Sequence, residues 1–299
     1  MMEIGVGIPH TGALASARFI REFCAAAEEL GFDGLWAVDH LVMPLHTDSF
    51  YTLASRPAPI ADNAVSALLS PNYEMVTTLA WVAAFTSRIK LGTAVSVLSI
   101  RNPIANARQM ATLDVYSGGR LICGVGIGWL REEAEILGMP WDNRGARSEE
   151  HIALLRALWT AKGNLVEFHG TYHEVPPIDP EPRPIQRPIP ILIGGHSNVA
   201  LDRAGRIGDG WIAASMSPER LADKWADVRA AAERHDRRSG ALLLHAELSR
   251  RDRRPLTELL DTYSMIGVDH LHLPVNASDE RGALDELARL ADEVLGAVR

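Results

Sequence analysis

Asp39 and His40 stand side by side at the end of a short apolar segment, residues 34–39, and combine a carboxylate with an imidazole. One group can hold a charge while the other moves a proton near neutral pH, as general acid or base catalysis requires. The alternative is a histidine with a purely structural role. We predict that His40 is catalytic and also contacts a cofactor, and that Asp39 orients His40 or contacts the cofactor.

Three glycines alternate with apolar residues later in the chain, at Gly124, Gly126 and Gly128, and Trp129 follows them. A dinucleotide-binding fingerprint needs a glycine where Trp129 stands, so we set that interpretation aside. Glycines here either let backbone approach a flat ligand or only permit tight strand-to-helix packing. We predict Gly126 and Gly128 as cofactor contacts.

A second glycine cluster joins an apolar strand to a predicted helix, with Gly194, Gly195, His196 and Ser197 in sequence. Backbone N–H groups there would point outward at the positive end of a helix dipole, which suits a phosphate. Ordinary N-capping by Ser197 is the alternative. We predict all four residues as cofactor contacts.

Histidines at several predicted strand ends raise the possibility of a metal hydrolase; they are His10, His40, His196, His245 and His272. The close-spaced pair expected after the first strand is missing, and we find no carboxylate after the predicted strands four to six. We therefore predict no metal. His10, which follows the first strand, is assigned to the substrate.

Strand-like and helix-like segments alternate along the whole chain. The predicted strands are 4–8, 34–39, one within 87–97, one within 118–129, 191–193, 211–214, 241–244 or slightly beyond, and 270–273. The predicted helices are 15–30, about 70–86, 102–116, 131–162, 198–208, one starting at Pro218, 256–266 and 283–298. Strict alternation favours an α/β fold, a closed (β/α)8 TIM barrel, over an open sheet. We expect one domain over residues 1–299 with insertions near 41–70 and 164–190.

Composition limits the function classes. The chain has 299 residues, is 47% hydrophobic and carries a formal net charge of -8, which argues against nucleic-acid and anionic-membrane partners. No apolar run reaches the roughly 20 residues of a membrane span, and the N-terminus has no targeting pattern, so we expect a cytoplasmic protein. Cys24 and Cys123 are expected to be buried, reduced thiols.

Taken as an ordered set, several motifs resemble the luciferase-like monooxygenase family, and within it the branch of oxidoreductases that use the deazaflavin coenzyme F420. The motifs are 31–36 (GFDGLW) with Asp39 and His40, 89–93 (IKLGT), Asn102 and Pro103 with Gln109 and 113–114, 118–120 (GGR), 124–126 (GVG), and 194–195 with 204–211 (AGRIGDGW). The resemblance covers nearly the whole length and implies a (β/α)8 barrel with insertions.

The resemblance also implies residue roles. Thr93, Ala94 and Val95 would lie along the ring, with a cis peptide between Ala94 and Val95. The phosphate would meet Gly195, His196 and Ser197. His40 matches the histidine that handles the substrate proton. Trp129 stands where sugar-phosphate dehydrogenases of the family place an acid, so sugar-phosphate oxidation is not expected. The indole is expected instead to contact an apolar substrate or to stack on the cofactor ring.

The expected function is hydride transfer between F420 and a small, partly apolar organic substrate. One alternative is a monooxygenase that uses reduced FMN and oxygen on the same barrel. Another is a non-catalytic protein that only binds a flavin or deazaflavin. Family members are commonly dimers, so a homodimer is expected.

Overall fold

Eight parallel strands close into a barrel in the computed structural model, which describes residues 2–49, 69–249 and 252–298. Two further strands, β5 and β6, lie outside the barrel. In chain order the described strands are β1 (Glu3–Gly7), β2 (Gly34–Ala37), β3 (Lys90–Val97), β4 (Leu121–Gly126), β5 (Val166–His169), β6 (Glu174–Ile178), β7 (Ile191–Gly194), β8 (Gly210–Ala213), β9 (Leu243–Glu247) and β10 (His270–Leu273). Around the barrel the order is β1-β10-β9-β8-β7-β4-β3-β2. The predicted TIM barrel is confirmed.

Helices surround the barrel. Those described are α1 (Ala17–Leu30), α2 (Met75–Ala83), α3 (Pro103–Tyr116), α4 (Arg131–Ile136), α5 (Arg144–Thr160), α6 (Asn198–Ile207), α7 (Pro218–Arg234), α8 (Leu256–Ile266) and α9 (Glu280–Val298). Local chemistry sets their ends: Ser16 caps α1 by accepting from the Phe19 N–H, and Gly31 ends it in a left-handed conformation. No helix in the described ranges has the length and apolar character needed to cross a bilayer.

Several predicted element bounds differ from the structure, three of them with a clear physical reason. The helix expected from Ser70 begins instead at Met75, with Glu74 as its N-cap. The helix expected over 131–162 is two helices, α4 and α5, because Gly138 and Asn143 between them adopt positive φ angles that a continuous helix excludes. The strand expected from 241 starts two residues later, at Leu243, since 239–241 form a 3₁₀ turn, and it ends at Glu247.

The stretch predicted as the second insertion contains β5 and β6, which pair antiparallel in a separate two-stranded sheet outside the barrel. Most of the stretch predicted as the first insertion, residues 50–68, lies outside the described residues. Its first part, 41–49, is described and follows β2 at the carboxyl end of the barrel.

Trp36 fills the barrel interior because the neighbouring strands present glycine to it. In the strand pairing, Trp36 is the partner of Gly7 in β1 on one side and of Gly92 in β3 on the other. A Cβ on Gly92 would lie 2.2 Å from the Trp36 ring, and one on Gly5 would lie 2.7 Å from its Nε1. The Trp36 ring packs on His245 with centroids 4.0 Å apart. Barrel interiors are ordinarily filled by branched aliphatic side chains, so one indole here takes the place of several.

Charged groups occupy the amino end of the barrel. Glu3 accepts from Lys90 Nζ at 2.7 Å through both carboxylate oxygens, and its Oε2 lies 2.7 Å from His270 Nδ1. Burial would raise the pKa of Glu3, but the hydrogen bonds from His270 and Lys90 outweigh it and lower the pKa to about 2. This network and Trp36 leave the carboxyl end as the side of the barrel open to a ligand.

Gly92→Ala is expected to destabilise the fold by about 3 kcal/mol, because the added methyl overlaps the Trp36 ring and packed barrel strands cannot move apart cheaply. The measurement is the free energy of unfolding from denaturant titration. The matched control is Gly240→Ala, where a Cβ meets nothing within 4 Å, and its stability should change by less than about 1 kcal/mol. Equal stabilities for the two variants would contradict the packing argument.

Candidate active site at the carboxyl end of the barrel

A histidine and a buried glutamate form a pair at the barrel mouth. His40 follows β2, and its Nδ1 lies 2.8 Å from Oε2 of Glu133, which belongs to α4. The Glu133 side chain is 2% exposed, and its Oε1 also accepts the backbone N–H groups of Leu41 and Val42 at 2.6 and 3.0 Å. In a neutral His40 ring the Nδ1 proton is therefore donated to the carboxylate, and Nε2 keeps the lone pair that can accept a proton.

Asp39 does not orient His40, which corrects the sequence prediction. Its fully buried carboxylate accepts from Arg101 at 2.7 and 2.9 Å and from the Val97 N–H at 2.9 Å. The physical reason is that neighbouring residues of an extended chain point to opposite sides, so Asp39 and His40 face different partners. With three hydrogen bonds inside the protein, Asp39 holds the chain leaving β3 rather than contacting a cofactor.

Sequence reasoning missed Glu133, and it was wrong that no carboxylate follows the predicted strands four to six. Glu132 and Glu133 lie in the first turn of α4, directly after the β4 glycines. Acidic residues in a first turn are usual on helix dipole grounds alone. Since 93 positions separate Glu133 from His40, only the fold reveals the pair.

Trp129 lies at the same mouth, as predicted. Its ring and that of His40 meet edge to face, with centroids 5.9 Å apart and planes at 80°. Trp129 is half-buried, so an apolar ring surface borders the polar pair. The combination places a proton acceptor next to a surface suited to a flat or apolar molecule.

A cis peptide joins Ala94 and Val95, and the prediction of its position is confirmed. The pairing of β3 with β4 shifts register between Thr93 and Ser96, across this bond. The Thr93 hydroxyl donates to the Gly124 carbonyl at 2.6 Å and is fully buried. Ala94 and Val95, by contrast, are half-buried, so of the three predicted ring contacts these two reach the mouth.

The predicted cofactor glycines make room for neighbouring side chains. A Cβ on Gly126 would lie 2.6 Å from Val95, and one on Gly194 would lie 3.1 Å from it. Gly128 has a positive φ, and its Cβ would lie 2.8 Å from Val97. Close packing therefore explains all three glycines, and the same bare backbone flanks Val95 at the mouth.

The turn from β7 to α6 contains the residues predicted to contact a phosphate. Ser197 caps α6 by accepting from the Ala200 N–H, and Gly195 has a φ of 111°. Lys224 of α7 donates to the His196 carbonyl at 2.8 Å, which brings a cation that sequence reasoning missed to the start of the ten-residue α6. Helix N-termini with a nearby cation bind phosphates.

His196 is held neutral in this turn. Its Nε2 accepts from the Ala214 N–H at 3.2 Å. Burial, aided by the charges of Lys224 and Arg220, lowers the pKa of His196 to about 4. The imidazole contributes a hydrogen-bonding group here without adding charge at neutral pH.

His10 lies in the wall of the barrel and not at a substrate surface, which corrects the prediction for it. It is 1% exposed, and its two ring nitrogens lie 3.0 Å from the carbonyl oxygens of Ile8 and Val38. Its role is to tie the exits of β1 and β2 together. His245, predicted to follow a strand, lies within β9 and is buried against Trp36. Within residues 2–49, 69–249 and 252–298, no three His, Cys, Asp or Glu residues are arranged to hold a metal ion.

Comparison with known proteins adds to this geometry. A family model described as luciferase-like monooxygenase matches residues 2–250. The F420-dependent glucose-6-phosphate dehydrogenase of Amycolatopsis mediterranei is 32% identical over 216 residues, covering 70% of this chain and 57% of that protein. The FMNH(2)-dependent dimethylsulfone monooxygenase of Pseudomonas putida is 37% identical over 135 residues, covering 44% of this chain and 37% of that one.

Among solved structures, an F420-dependent secondary alcohol dehydrogenase in complex with an F420-acetone adduct superposes with a TM-score of 0.78, covering 100% of this chain and 99% of that chain. The two chains are 15% identical in sequence, so this likeness concerns the fold alone.

Glu133→Gln is expected to reduce the Nδ1–H form of His40, because a neutral amide is a weaker acceptor than a carboxylate and can itself donate to Nδ1. Imidazole ¹⁵N chemical shifts of the cofactor-free protein measure the change. Glu135→Gln is the control, since Glu135 lies on the same helix and pairs at the surface with Arg131. Unchanged His40 shifts in Glu133→Gln would show that the carboxylate does not set the tautomer.

Proposed function

The chain belongs to the luciferase-like monooxygenase family, and on that basis we propose that it is an oxidoreductase transferring a hydride between coenzyme F420 and a small organic substrate. The observation that carries the proposal is the His40 ring at the barrel mouth, bound through Nδ1 to the buried Glu133. Removing a hydride from an alcohol also requires removing its hydroxyl proton, and we propose that His40 Nε2 accepts it.

The residues present fit a flat ring with an anionic tail. Gly126 and Gly194 pack closely on Val95, where a Cβ at either position would press on its side chain, and all three residues are half-buried. The turn from Gly195 to Ser197, with Lys224 beside it, offers backbone N–H groups and a positive charge for a phosphate. We propose that Ala94, Val95, Gly126 and Gly194 hold the ring and that this turn holds the phosphate.

Proton transfer is the task that this chain's own side chains perform. F420, when bound, supplies the carbon that accepts or gives the hydride. In the oxidative direction, His40 Nε2 takes the hydroxyl proton of the substrate and the ring becomes an imidazolium. Glu133 stabilises that cation, since its carboxylate is 2% exposed and little water screens the pair. In the reductive direction the same nitrogen returns the proton.

Trp129 gives the substrate side an apolar wall. Its ring lies edge to face with His40, so a substrate whose polar group meets His40 has its remaining part beside the indole. An aromatic surface favours an apolar or flat partner over a phosphate. We therefore propose a substrate with an alcohol or carbonyl group on a partly apolar skeleton.

A monooxygenase using reduced FMN is the second candidate, favoured by the 37% identity to the dimethylsulfone enzyme. FMN also combines a flat ring with a phosphate. The same turn from Gly195 to Ser197 would then hold the FMN phosphate.

Titration of the purified, cofactor-free protein with F420 and with FMN tests the proposal. F420 is expected to bind at least about tenfold more tightly than FMN, a difference of about 1.4 kcal/mol. Tight FMN binding without F420 binding would instead favour the monooxygenase. Bound F420 that is neither reduced nor oxidised across a panel of alcohols and ketones would favour a cofactor-binding protein without catalysis.

His40→Ala is expected to lower kcat about a hundredfold or more, because general acid or base catalysis contributes that much. The dissociation constant for F420 should change by less than about threefold. Steady-state kinetics and the fluorescence of F420 measure the two quantities. His169→Ala is the control, because His169 is exposed at the end of β5, outside the barrel. Turnover equal to the unmodified protein would remove His40 from the mechanism.

A further inference from the structure

Residues 40–49, here called the strap, leave β2 and are bound at both ends to the same short helix, α4. At the first end, Glu133 accepts from His40 Nδ1 and from the N–H groups of Leu41 and Val42. In addition, Asn72 donates to the His40 carbonyl at 2.7 Å. The first end of the strap is therefore fixed together with the proton-handling histidine.

Glu132 binds the other end of the strap. Its Oε1 accepts the N–H groups of Asp48 and Ser49 at 2.7 and 3.2 Å, and its Oε2 accepts from the Ser49 hydroxyl at 2.6 Å. The Arg131 N–H donates to the same hydroxyl oxygen at 3.1 Å. Two consecutive glutamates of one helix thus hold two points of the strap seven residues apart, at Leu41 and Asp48.

The topology indicates where the strap runs. In the barrel, β3 lies between β2 and β4. The strap begins after β2 and is bound to α4, which follows β4. Helix α4 itself packs on the 3₁₀ turn that follows β3, through Ala134 against Val97 and Ile100. The strap therefore joins the exits of β2 and β4, the two strands that flank β3, which carries Ala94 and Val95.

The first half of the strap is apolar. Residues 41–45 read Leu-Val-Met-Pro-Leu, and the first and last are 38% and 57% exposed. Five consecutive apolar residues beside a catalytic pair expose surface that water solvates poorly. A ligand with an apolar face would cover it, and Trp129, in contact with His40, continues the same surface.

We propose that Glu132 is a positioning residue that fastens the strap across the mouth, and that the strap and Trp129 together form the apolar wall that selects a substrate with an aliphatic portion. The inference rests on the proposed function, because it concerns the substrate side of the same site. It assigns separate tasks to adjacent glutamates. Glu133 serves the proton transfer through His40, whereas Glu132 serves substrate binding through the strap.

Hydrogen–deuterium exchange on the cofactor-free protein tests the fastening. Glu132→Ala is expected to speed exchange of the Asp48 and Ser49 amides at least about tenfold, while Leu41 and Val42 stay slow because Glu133 still binds them. The control is Glu135→Ala on the exposed side of the same helix. If Glu132→Ala and Glu135→Ala exchange alike at Asp48 and Ser49, Glu132 does not fasten the strap.

The wall is tested with 2-propanol and 2-octanol on the F420-loaded protein. In the unmodified protein, 2-octanol should slow exchange over 41–45, and in Glu132→Ala this protection should be lost. The KM for 2-octanol should rise about fivefold in Glu132→Ala and that for 2-propanol less, with kcat within about twofold for both. If 2-octanol does not slow exchange over 41–45, or if KM changes equally for the two alcohols, the proposal of an apolar wall is wrong.

The two proposals fail in different ways. If F420 does not bind or never turns over with any alcohol or ketone, the proposed function is wrong. The exchange of Asp48 and Ser49 in the cofactor-free protein still decides whether Glu132 holds the strap. If F420 turns over but 2-octanol leaves the strap unprotected, the proposed function stands and the wall is wrong.

Discussion

The hydrogen bonds of one buried carboxylate organise the barrel mouth. Glu133 is almost fully enclosed, and a charge in that position is tolerated only when its oxygens are satisfied by donors. His40, Leu41 and Val42 supply those donors. The exit of β2 and the helix after β4 are therefore held in one arrangement, and the orientation of the His40 ring follows from it. Loss of the carboxylate would leave two backbone N–H groups and a ring nitrogen without their acceptor.

Adjacent residues at the end of β2 secure different neighbours. Asp39 binds Arg101 and the Val97 N–H, which holds the exit of β3. His40 binds Glu133, which holds α4. Buried ion pairs often add little net stability, because desolvation offsets their attraction, but they define geometry well. Here the geometry that they define is the position of the 94–95 peptide relative to the His40 ring.

The sequence predicted the barrel because its signals are local. Apolar periodicity, caps such as Ser16 and stops such as Gly31 each involve residues a few positions apart, and alternation then determines the architecture. The site was predicted only in part, because its contacts join residues that are far apart in the sequence. We predicted that Asp39 orients His40 because the two residues are adjacent in the sequence, but their side chains point in different directions. Glu133 and Lys224 reach the site from helices far along the chain, and no periodic pattern marks such a contact.

The relatives include F420-dependent dehydrogenases and FMNH(2)-dependent monooxygenases, and these two reactions require different features at the mouth of the barrel. Oxygenation by a reduced flavin depends on admitting dioxygen and keeping water from a reactive product. Hydride exchange with an alcohol depends on a base within reach of the hydroxyl and on an apolar surface for the rest of the molecule. In the proposed function, His40 with Glu133 would supply that base, and Trp129 beside them would supply the apolar surface. A base held by a buried carboxylate is needed when a proton leaves with every hydride, and this is why we favour the deazaflavin chemistry.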